Sequence, residues 1–201
     1  LATKTVEDAA AGQPASTGPL ALADLDGDGS LDLFVGGRAV PGRYPESASS
    51  VLFRNVGGKF VKDEENSGRL AQVGLVSAAV FSDLDGDGDP DLILACEWGP
   101  LRLFRNDHGK LQSWGARLTA IDGAALTHHA SRITHHGSTI NHLTGWWTGV
   151  TTGDFDGDGR LDIVGSNWGA NTKYERFRSQ PLRLFYGDLD GDGTVDLIEA
   201  H

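Results

Sequence analysis

The sequence lacks the residues that would hold a small fold together covalently. Only one of its 201 residues is cysteine, Cys96, which excludes a disulfide framework and a cysteine-based zinc site. Methionine is absent, even at position 1, and no basic and then apolar leader opens the chain, which predicts a processed or truncated chain. No apolar run approaches the roughly 18–20 residues of a membrane-spanning helix. With 39% apolar and 22% charged residues, the chain is expected to be soluble and globular.

Signatures of common enzymes are missing as well. The sequence contains no G-x-S-x-G elbow, no phosphate-cradling glycine loop and no H-E-x-x-H pair. Cys96 follows an apolar run, and we interpret it as a small core residue rather than a nucleophile. Five of the seven histidines lie within residues 128–142, at spacings that suit neither a helical nor a strand zinc site. We therefore interpret residues 114–146 as a polar insertion.

The negative charge is concentrated in a small part of the chain. The net charge is −11, yet 17 of the 28 acidic residues lie in four nine-residue stretches, and the rest of the chain is net positive. The net negative charge argues against a nucleic-acid partner. Because the acidity is confined to these stretches, it does not imply a cationic partner either.

The four stretches, here called loops 1 to 4, share the pattern D-x-D-G-D-G-x-x-D. They span residues 24–32, 83–91, 154–162 and 188–196. Carboxylates at positions 1, 3, 5 and 9, with the carbonyl of position 7, suit a calcium ion, and glycines at positions 4 and 6 allow a tight curl. Four such carboxylates would repel one another without a cation. The predicted ligands of up to four Ca²⁺ ions are Asp24, Asp26, Asp28, Ser30, Asp32, Asp83, Asp85, Asp87, Asp89, Asp91, Asp154, Asp156, Asp158, Arg160, Asp162, Asp188, Asp190, Asp192, Thr194 and Asp196.

Solvated turns are the simple alternative, but four copies of the same nine positions argue against it. EF-hands are a second alternative, and they require a glutamate at position 12, which only loop 4 has. Each loop is instead followed by a short apolar run bounded by glycine, which is typical of a strand covered on both faces, although a buried helix segment has the same pattern. The residues before each loop also look extended, so we expect each loop to be the turn of a β-hairpin.

A second repeat follows the first two loops. Residues 52–60 and 103–111 match at six of nine positions and contain a glycine turn, which predicts another hairpin. The first copy is longer by eight residues, which we place within Arg38 to Ser50. Four strands per copy predict an all-β fold of antiparallel four-stranded β-propeller blades. The blades are expected at about residues 18–62, 77–113 and 147–180, with an incomplete one at 182–201.

This number of blades is too small for a closed ring. The loops are 59, 71 and 34 residues apart, and residues 181–186 read either as the third strand of blade three or as the first strand of a new blade. About three and a half blades fall short of the usual four to eight. We expect the chain to be a piece of a larger propeller, with the remainder of that propeller as its partner, or to cover its open sheet edges by self-association.

The loops with their apolar strands resemble the FG-GAP/VCBS repeats of secreted bacterial proteins and the calcium-binding blades of the integrin α-subunit propeller. Residues 145–150, 167–169 and 173–174 resemble the propeller region of bacterial proteins that carry a C-terminal ASPIC/UnbV module. The literal Phe-Gly and Gly-Ala-Pro of the repeat name are absent, and no such module follows. The resemblance implies a calcium-stabilised propeller that is secreted, periplasmic or on the cell surface and serves in binding, assembly or cell adhesion.

A second group of candidate residues follows the second strand of each copy. Propeller connections alternate between the two faces, so these residues are expected on the face opposite the loops. Tryptophan beside polar groups suits a platform for sugar rings or for anchor residues of a protein partner. Packing between blades is the alternative, and it is favoured for Trp146 and Trp147. The candidates are Arg38, Glu97, Trp98, Asn167 and Trp168.

Two functions are compatible with these patterns. The first is a non-catalytic module that binds protein or glycan. The second is a fragment of a polysaccharide lyase or hydrolase built on a propeller. The absence of catalytic motifs favours the first.

Overall fold

The computed structural model describes residues 12–116, 139–168, 174 and 182–200. Within these residues, the regular structure consists of β-strands apart from one short α-helix and one 3₁₀ turn. The strands are β1 (Ser16–Ala23), β2 (Asp32–Ala39), β3 (Val51–Val56), β4 (Lys59–Lys62), β5 (Leu75–Ser82), β6 (Asp91–Glu97), β7 (Arg102–Asp107), β8 (Lys110–Trp114), β9 (Trp147–Gly153), β10 (Asp162–Asn167), β11 (Arg183–Gly187) and β12 (Asp196–Ala200). The helix α1 covers Glu64–Arg69, and a 3₁₀ helix covers Ile140–His142.

The strands form antiparallel sheets whose order follows the chain. Blade 1 is β1-β2-β3-β4 and blade 2 is β5-β6-β7-β8, while β9-β10 and β11-β12 are two-stranded. The predicted fold class, antiparallel four-stranded blades of a partial propeller, is confirmed. The strand β11 pairs with β12 across loop 4, so it takes the place that β1, β5 and β9 take before their own loops.

Both predicted glycine hairpins are present at the ends of blades 1 and 2. Gly57 and Gly58 join β3 to β4 with φ values of 60° and 84°, and His108 and Gly109 join β7 to β8 at 47° and 90°. Two successive positive φ values are the geometry of a tight hairpin turn. The connection from β2 to β3 spans residues 40–50, whereas that from β6 to β7 spans residues 98–101. The extra residues of the first copy therefore lie within Arg38 to Ser50.

The core lies between successive blades. Every residue of β6 is buried, and alternate side chains point to opposite faces. Leu92 and Leu94 pack in a cluster with Phe34 of blade 1, whereas Ile93 packs with Trp147 of β9. Blade 2 is therefore the middle layer of a radial stack, and the run after loop 2 is a strand covered on both faces.

A short helix fills the junction of blades 1 and 2, and the sequence patterns did not predict it. Asp63 caps α1 by accepting the backbone N–H of Asn66 at 2.9 Å. Although burial opposes its ionisation, hydrogen bonds from Asn66 and Arg54 hold the pKa of Asp63 below its ordinary value. The buried amide of Asn66 reaches blade 2, where it donates to the carbonyl oxygen of Gly109 and accepts from the N–H of Leu111. The connector thus joins the two blades by polar contacts as well as by packing.

The stack is open at its outer faces. On β1, Leu20 and Leu22 point away from blade 2 and are exposed, and Val164 of β10 is exposed on the far side of the third sheet. In β11-β12, large apolar side chains are exposed along both strands, among them Phe185 and Ile198. The prediction of a strand covered on both faces is therefore wrong for β10 and β12, because in the described part of the chain no further blade covers them as one would in a closed propeller.

Candidate metal-binding loops and aromatic face

Each aspartate loop joins the two strands of one antiparallel hairpin, as the sequence predicted. The strands pair up to the loop ends, for example Ala23 with Asp32 and Ser82 with Asp91. Both glycines of every loop have positive φ, a conformation that side chains disfavour. The values lie between 74° and 93° in Gly27, Gly29, Gly86, Gly88, Gly157, Gly159, Gly191 and Gly193.

The carboxylate at position 1 stabilises the curled backbone of each loop by accepting N–H groups from the residues that follow it. In loop 2, Asp83 accepts the backbone N–H of Asp87 through Oδ1 at 3.1 Å and that of Gly88 through Oδ2 at 3.0 Å. The aspartates at positions 3 and 5 each accept the N–H two residues further on. The same pattern recurs in loops 1 and 3, and most of it in loop 4. Several backbone N–H groups of the loop therefore donate to its own side chains, and the curl draws the carboxylates together.

The aspartate at position 9 ties the loop to the rest of the blade. In loop 2, Asp91 accepts the N–H of Leu84 at 3.0 Å and the N–H of Asn106, in the third strand, at 2.8 Å. In loop 1, Asp32 accepts the N–H of Asn55 in β3 at 2.9 Å. Burial raises the pKa of Asp91. The sequence predicted these residues as metal ligands, and the structure shows that they also anchor the loop.

Each loop brings three carboxylates together. In every loop, one oxygen from each of three aspartates lies within 4.8 Å of the other two. The groups are Asp24, Asp26 and Asp28; Asp83, Asp85 and Asp91; Asp154, Asp156 and Asp162; and Asp188, Asp190 and Asp196. Three hard oxygen donors at this separation fit a divalent cation such as calcium. The predicted aspartate ligands outside these groups are Asp32, Asp87, Asp89, Asp158 and Asp192.

Two arginines that the sequence analysis did not single out also reach the loops. Arg54 of β3 lies 2.8 Å from Asp32, and Arg105 of β7 lies 2.6 Å from Asp85. Both occupy the third place of the repeated Leu-Phe-Arg-Asn segment. The repeated segment could have indicated this contact from the sequence, because in both blades the third strand runs beside the loop.

The connections opposite the loops hold a row of aromatic rings. The ring centroids of Trp98 and Trp146 are 4.7 Å apart, and those of Trp146 and Trp168 are 4.1 Å apart. Tyr174 extends the row, with its ring 5.9 Å from that of Trp168. Trp146 lies between Trp98 and Trp168 and is in ring contact with both, an arrangement that fits the predicted platform and also the alternative of packing between blades. Trp168 is 41% exposed, whereas Trp98, Trp146 and Tyr174 are partly buried.

Polar groups flank this aromatic row, although not all of them are free. Glu97 is buried and hydrogen-bonds to both Arg38 and Tyr44. The Tyr44 hydroxyl also accepts from the Trp98 indole at 2.7 Å, and burial together with its bond to Glu97 raises the pKa of Tyr44 to about 12. Glu97 therefore positions its neighbours, while Arg38 remains partly exposed and Asn167, at the end of β10, is exposed.

The remaining sequence candidates fall elsewhere. Cys96 is buried in the core between blades 1 and 2, and burial raises its pKa to about 11, which suits a packing role. Four of the clustered histidines, at 128, 129, 135 and 136, lie outside the described residues. His142 lies in the 3₁₀ helix beside the buried Ile140.

Radially stacked four-stranded blades with aspartate loops define a β-propeller repeat protein. A family model described as FG-GAP-like repeat matches residues 24–94 and again 83–165. Each match begins at the first aspartate of one loop and extends through the next. Together they cover residues 24–165, so the chain belongs to the FG-GAP-like repeat family.

No curated protein matches the chain. Repeats of this family are typical of extracellular or surface proteins. Among the described residues, no helix has the length and apolar character needed to cross a membrane.

Proposed function

We propose that this chain is a calcium-stabilised, non-catalytic binding module that works outside the cytoplasm. The observation that carries the proposal is the convergence of three carboxylate oxygens within 4.8 Å in all four loops. The curl, the positive-φ glycines and a position-9 aspartate that accepts the N–H of loop position 2 recur in every loop, so the convergence of carboxylates is a property of the repeat and not of one turn. Loop 1 contributes its aspartates at positions 1, 3 and 5, and the other three loops contribute those at positions 1, 3 and 9.

A bound calcium ion would supply positive charge between carboxylates that otherwise repel one another. The aspartates at positions 1, 3, 5 and 9 and the carbonyl of position 7 would hold it. Extracellular calcium modules have dissociation constants of about 10⁻⁴–10⁻³ M, so such loops would fill outside the cell and not in the cytosol. At tenfold saturation each ion adds about 1.4 kcal/mol, and four together add about 5–6 kcal/mol, comparable to the stability of a whole domain.

The aromatic row is the proposed binding surface, because it lies on the face opposite the loops and exposes Trp168 beside polar groups. Indole rings stack on sugar faces and accept anchor residues of protein partners. Arg38 and Asn167 supply hydrogen-bond donors at its margin. A glycan or a protein is thus the proposed class of ligand.

Calcium dependence is tested by thermal unfolding in millimolar calcium, in magnesium and in chelator. We expect calcium alone to raise the midpoint clearly, because Mg²⁺ demands tighter octahedral geometry and keeps its water. Asp156→Asn in loop 3 should reduce the gain, whereas Asp107→Asn, an exposed aspartate outside the loops, should not. An equal midpoint in calcium and chelator would contradict the proposal.

Ligand binding is tested on a glycan array and against candidate protein partners with the calcium-loaded chain. Trp168→Ala should abolish binding without changing the melting temperature by more than a few degrees. The control is Phe185→Ala, which removes an aromatic ring of β11 that is even more exposed, at 54%. Release of a shortened glycan by the wild-type chain would instead support the lyase or hydrolase alternative.

A further inference from the structure

Equivalent arginines of blades 1 and 2 engage their loops in different ways. Among the residues that the structure describes, Arg105 pairs with loop 2 alone, with Nε 2.6 Å from Asp85 Oδ2 and Nη2 2.9 Å from Asp87 Oδ2. Its side chain is 51% exposed. It therefore has water on one side and calcium-ligand candidates on the other.

Arg54 is instead fixed by several groups, two of which lie outside loop 1. It pairs with Asp32 at 2.8 Å, with Asp26 at 3.4 Å and with Asp63 at 3.0 Å, and it donates to the carbonyl oxygen of Gly109 in blade 2. Its side chain is 19% exposed. Arg54 thus joins loop 1 to α1 and to the next blade, and it would have to break the inter-blade contact in order to move.

Arg105 holds the carboxylate oxygens that the loop backbone leaves free. Asp85 and Asp87 each use Oδ1 to accept a backbone N–H within the loop, at 3.3 and 2.9 Å. The guanidinium takes Oδ2 of both residues. At positions 3 and 5 of loop 2, all four carboxylate oxygens therefore have a hydrogen-bond or ion-pair partner.

Loop 2 is also the most acidic of the four. It has five aspartates where each of the other loops has four, because Asp89 occupies position 7. The arginine thus faces the loop in which carboxylate repulsion is strongest. Within the described part of the chain, no lysine or arginine pairs with an aspartate of loop 3 or loop 4.

We propose that Arg105 is an internal counter-cation that competes with calcium for loop 2 and so sets the calcium affinity of that loop. This inference rests on the proposed function, because it requires that the loops bind calcium. On calcium binding the guanidinium gives up Oδ2 of Asp85 and of Asp87 and turns to water, which its exposure permits. The positive guanidinium repels the calcium ion. In addition, both ion pairs of Arg105 must break before Oδ2 of Asp85 and Oδ2 of Asp87 can bind the ion.

Replacing Arg105 should strengthen calcium binding to loop 2. At physiological ionic strength, where salt screens the interaction, a unit charge about 5 Å from a divalent ion in a water-like environment changes the affinity for that ion by roughly three- to tenfold. Arg105→Gln should therefore lower the calcium midpoint of loop 2 by roughly that factor. Arg105→Lys keeps the charge but loses the planar fork, so its gain should be smaller.

Site-resolved titration of the whole chain tests this. Backbone amide signals of Gly86 and Gly88 report loop 2, and those of Gly191 and Gly193 report loop 4 as an internal reference. In Arg105→Gln the loop 2 midpoint should fall while that of loop 4 stays unchanged. Arg69→Gln is the matched control, since Arg69 pairs with Glu65 on the surface of α1 and its loss should move neither midpoint.

Thermal unfolding separates competition from a purely structural role. In chelator, Arg105→Gln should have a lower melting temperature than wild type, because the loop 2 carboxylates lose their counter-charge. Adding calcium should then raise the melting temperature of the variant by more than it raises that of wild type. If the calcium midpoint of loop 2 in Arg105→Gln is equal to or higher than that of wild type, the proposal is overturned, although the loops still bind calcium. If no loop glycine responds to calcium in the wild-type chain, the proposed function itself fails.

Discussion

Asn106, in the third strand of blade 2, donates a hydrogen bond from Nδ2 to the carbonyl oxygen of Leu25 in loop 1, at 2.9 Å. Both residues are completely buried. The Asn106 amide oxygen accepts the N–H of Gly109 in its own hairpin at 2.9 Å. One side chain therefore fastens the loop of blade 1 to the outer hairpin of blade 2.

Replacing this amide should weaken the junction of the two blades. Asn106→Leu leaves a buried carbonyl and a buried N–H without partners, and we expect a loss of about 2–4 kcal/mol in the free energy of unfolding. Asn55→Leu, at the same place in blade 1, is the matched control, because Asn55 donates at 3.2 Å to Leu31 in an exposed position. Its loss should stay below about 1 kcal/mol. Urea unfolding followed by tryptophan fluorescence measures both, and equal losses would contradict the inter-blade role.

The loop glycines are needed for their backbone conformation rather than for space. A Cβ atom added at Gly157 would meet nothing within 4 Å, yet its φ is +78°. Gly157→Ala should therefore destabilise the chain by about 1 kcal/mol. Gly68 has equally open surroundings in α1 without a positive φ, so Gly68→Ala should stabilise by about 0.5 kcal/mol. Thermal melts of both variants in calcium and in chelator give the comparison, and a neutral Gly157→Ala would show that the loop adapts.

The Tyr44 hydroxyl should contribute to alkaline sensitivity. Its pKa is raised from 10.0 to about 12 in the folded chain, so between these values the unfolded chain releases a proton that the folded chain retains. The unfolded state then binds fewer protons, and stability falls as the pH rises from about 10 towards about 12. Tyr44→Phe should remove this part of the decline, and Tyr186→Phe, at an exposed position, should not. Melting temperatures between pH 9 and 12 test it, and parallel curves for all three chains would contradict it.

Cys96 offers a chemical measure of opening between blades 1 and 2. Its thiol is buried and its pKa is about 11, so a disulfide reagent at pH 8 should react only when the blades separate. If calcium stabilises the stack, labelling should be at least about tenfold slower in calcium than in chelator. A mass shift followed over time gives the rate. Immediate labelling of the native chain in calcium would show that the core around Cys96 is open.

The parts of the molecule that the sequence predicted are those coded by short repeated patterns. Two glycines between aspartates require positive φ, and all eight loop glycines have it. The apolar run after loop 2 predicts a strand covered on both faces, and β6 is buried throughout. Such features depend on local backbone geometry and hydrophobic alternation, which one sequence is enough to reveal.

The parts that it did not predict depend on contacts between distant residues. Arg38 and Glu97 are 59 residues apart and both were candidates for ligand contact, yet they bond to each other. Nor did the sequence show that Trp146 would lie between Trp98 and Trp168, since that requires the relative placement of blades 2 and 3. The helix α1 was missed because six residues carry too little periodicity to stand out from a loop.

Each sheet is built from one uninterrupted stretch of chain, with β1 to β4 complete by residue 62 and β5 to β8 by residue 114. No strand of blade 1 pairs with a strand that is synthesised after residue 62, so blade 1 can fold before the ribosome has made blade 2. The nascent chain is then expected to consolidate one blade at a time, with the face that awaits its neighbour as the most vulnerable surface during synthesis.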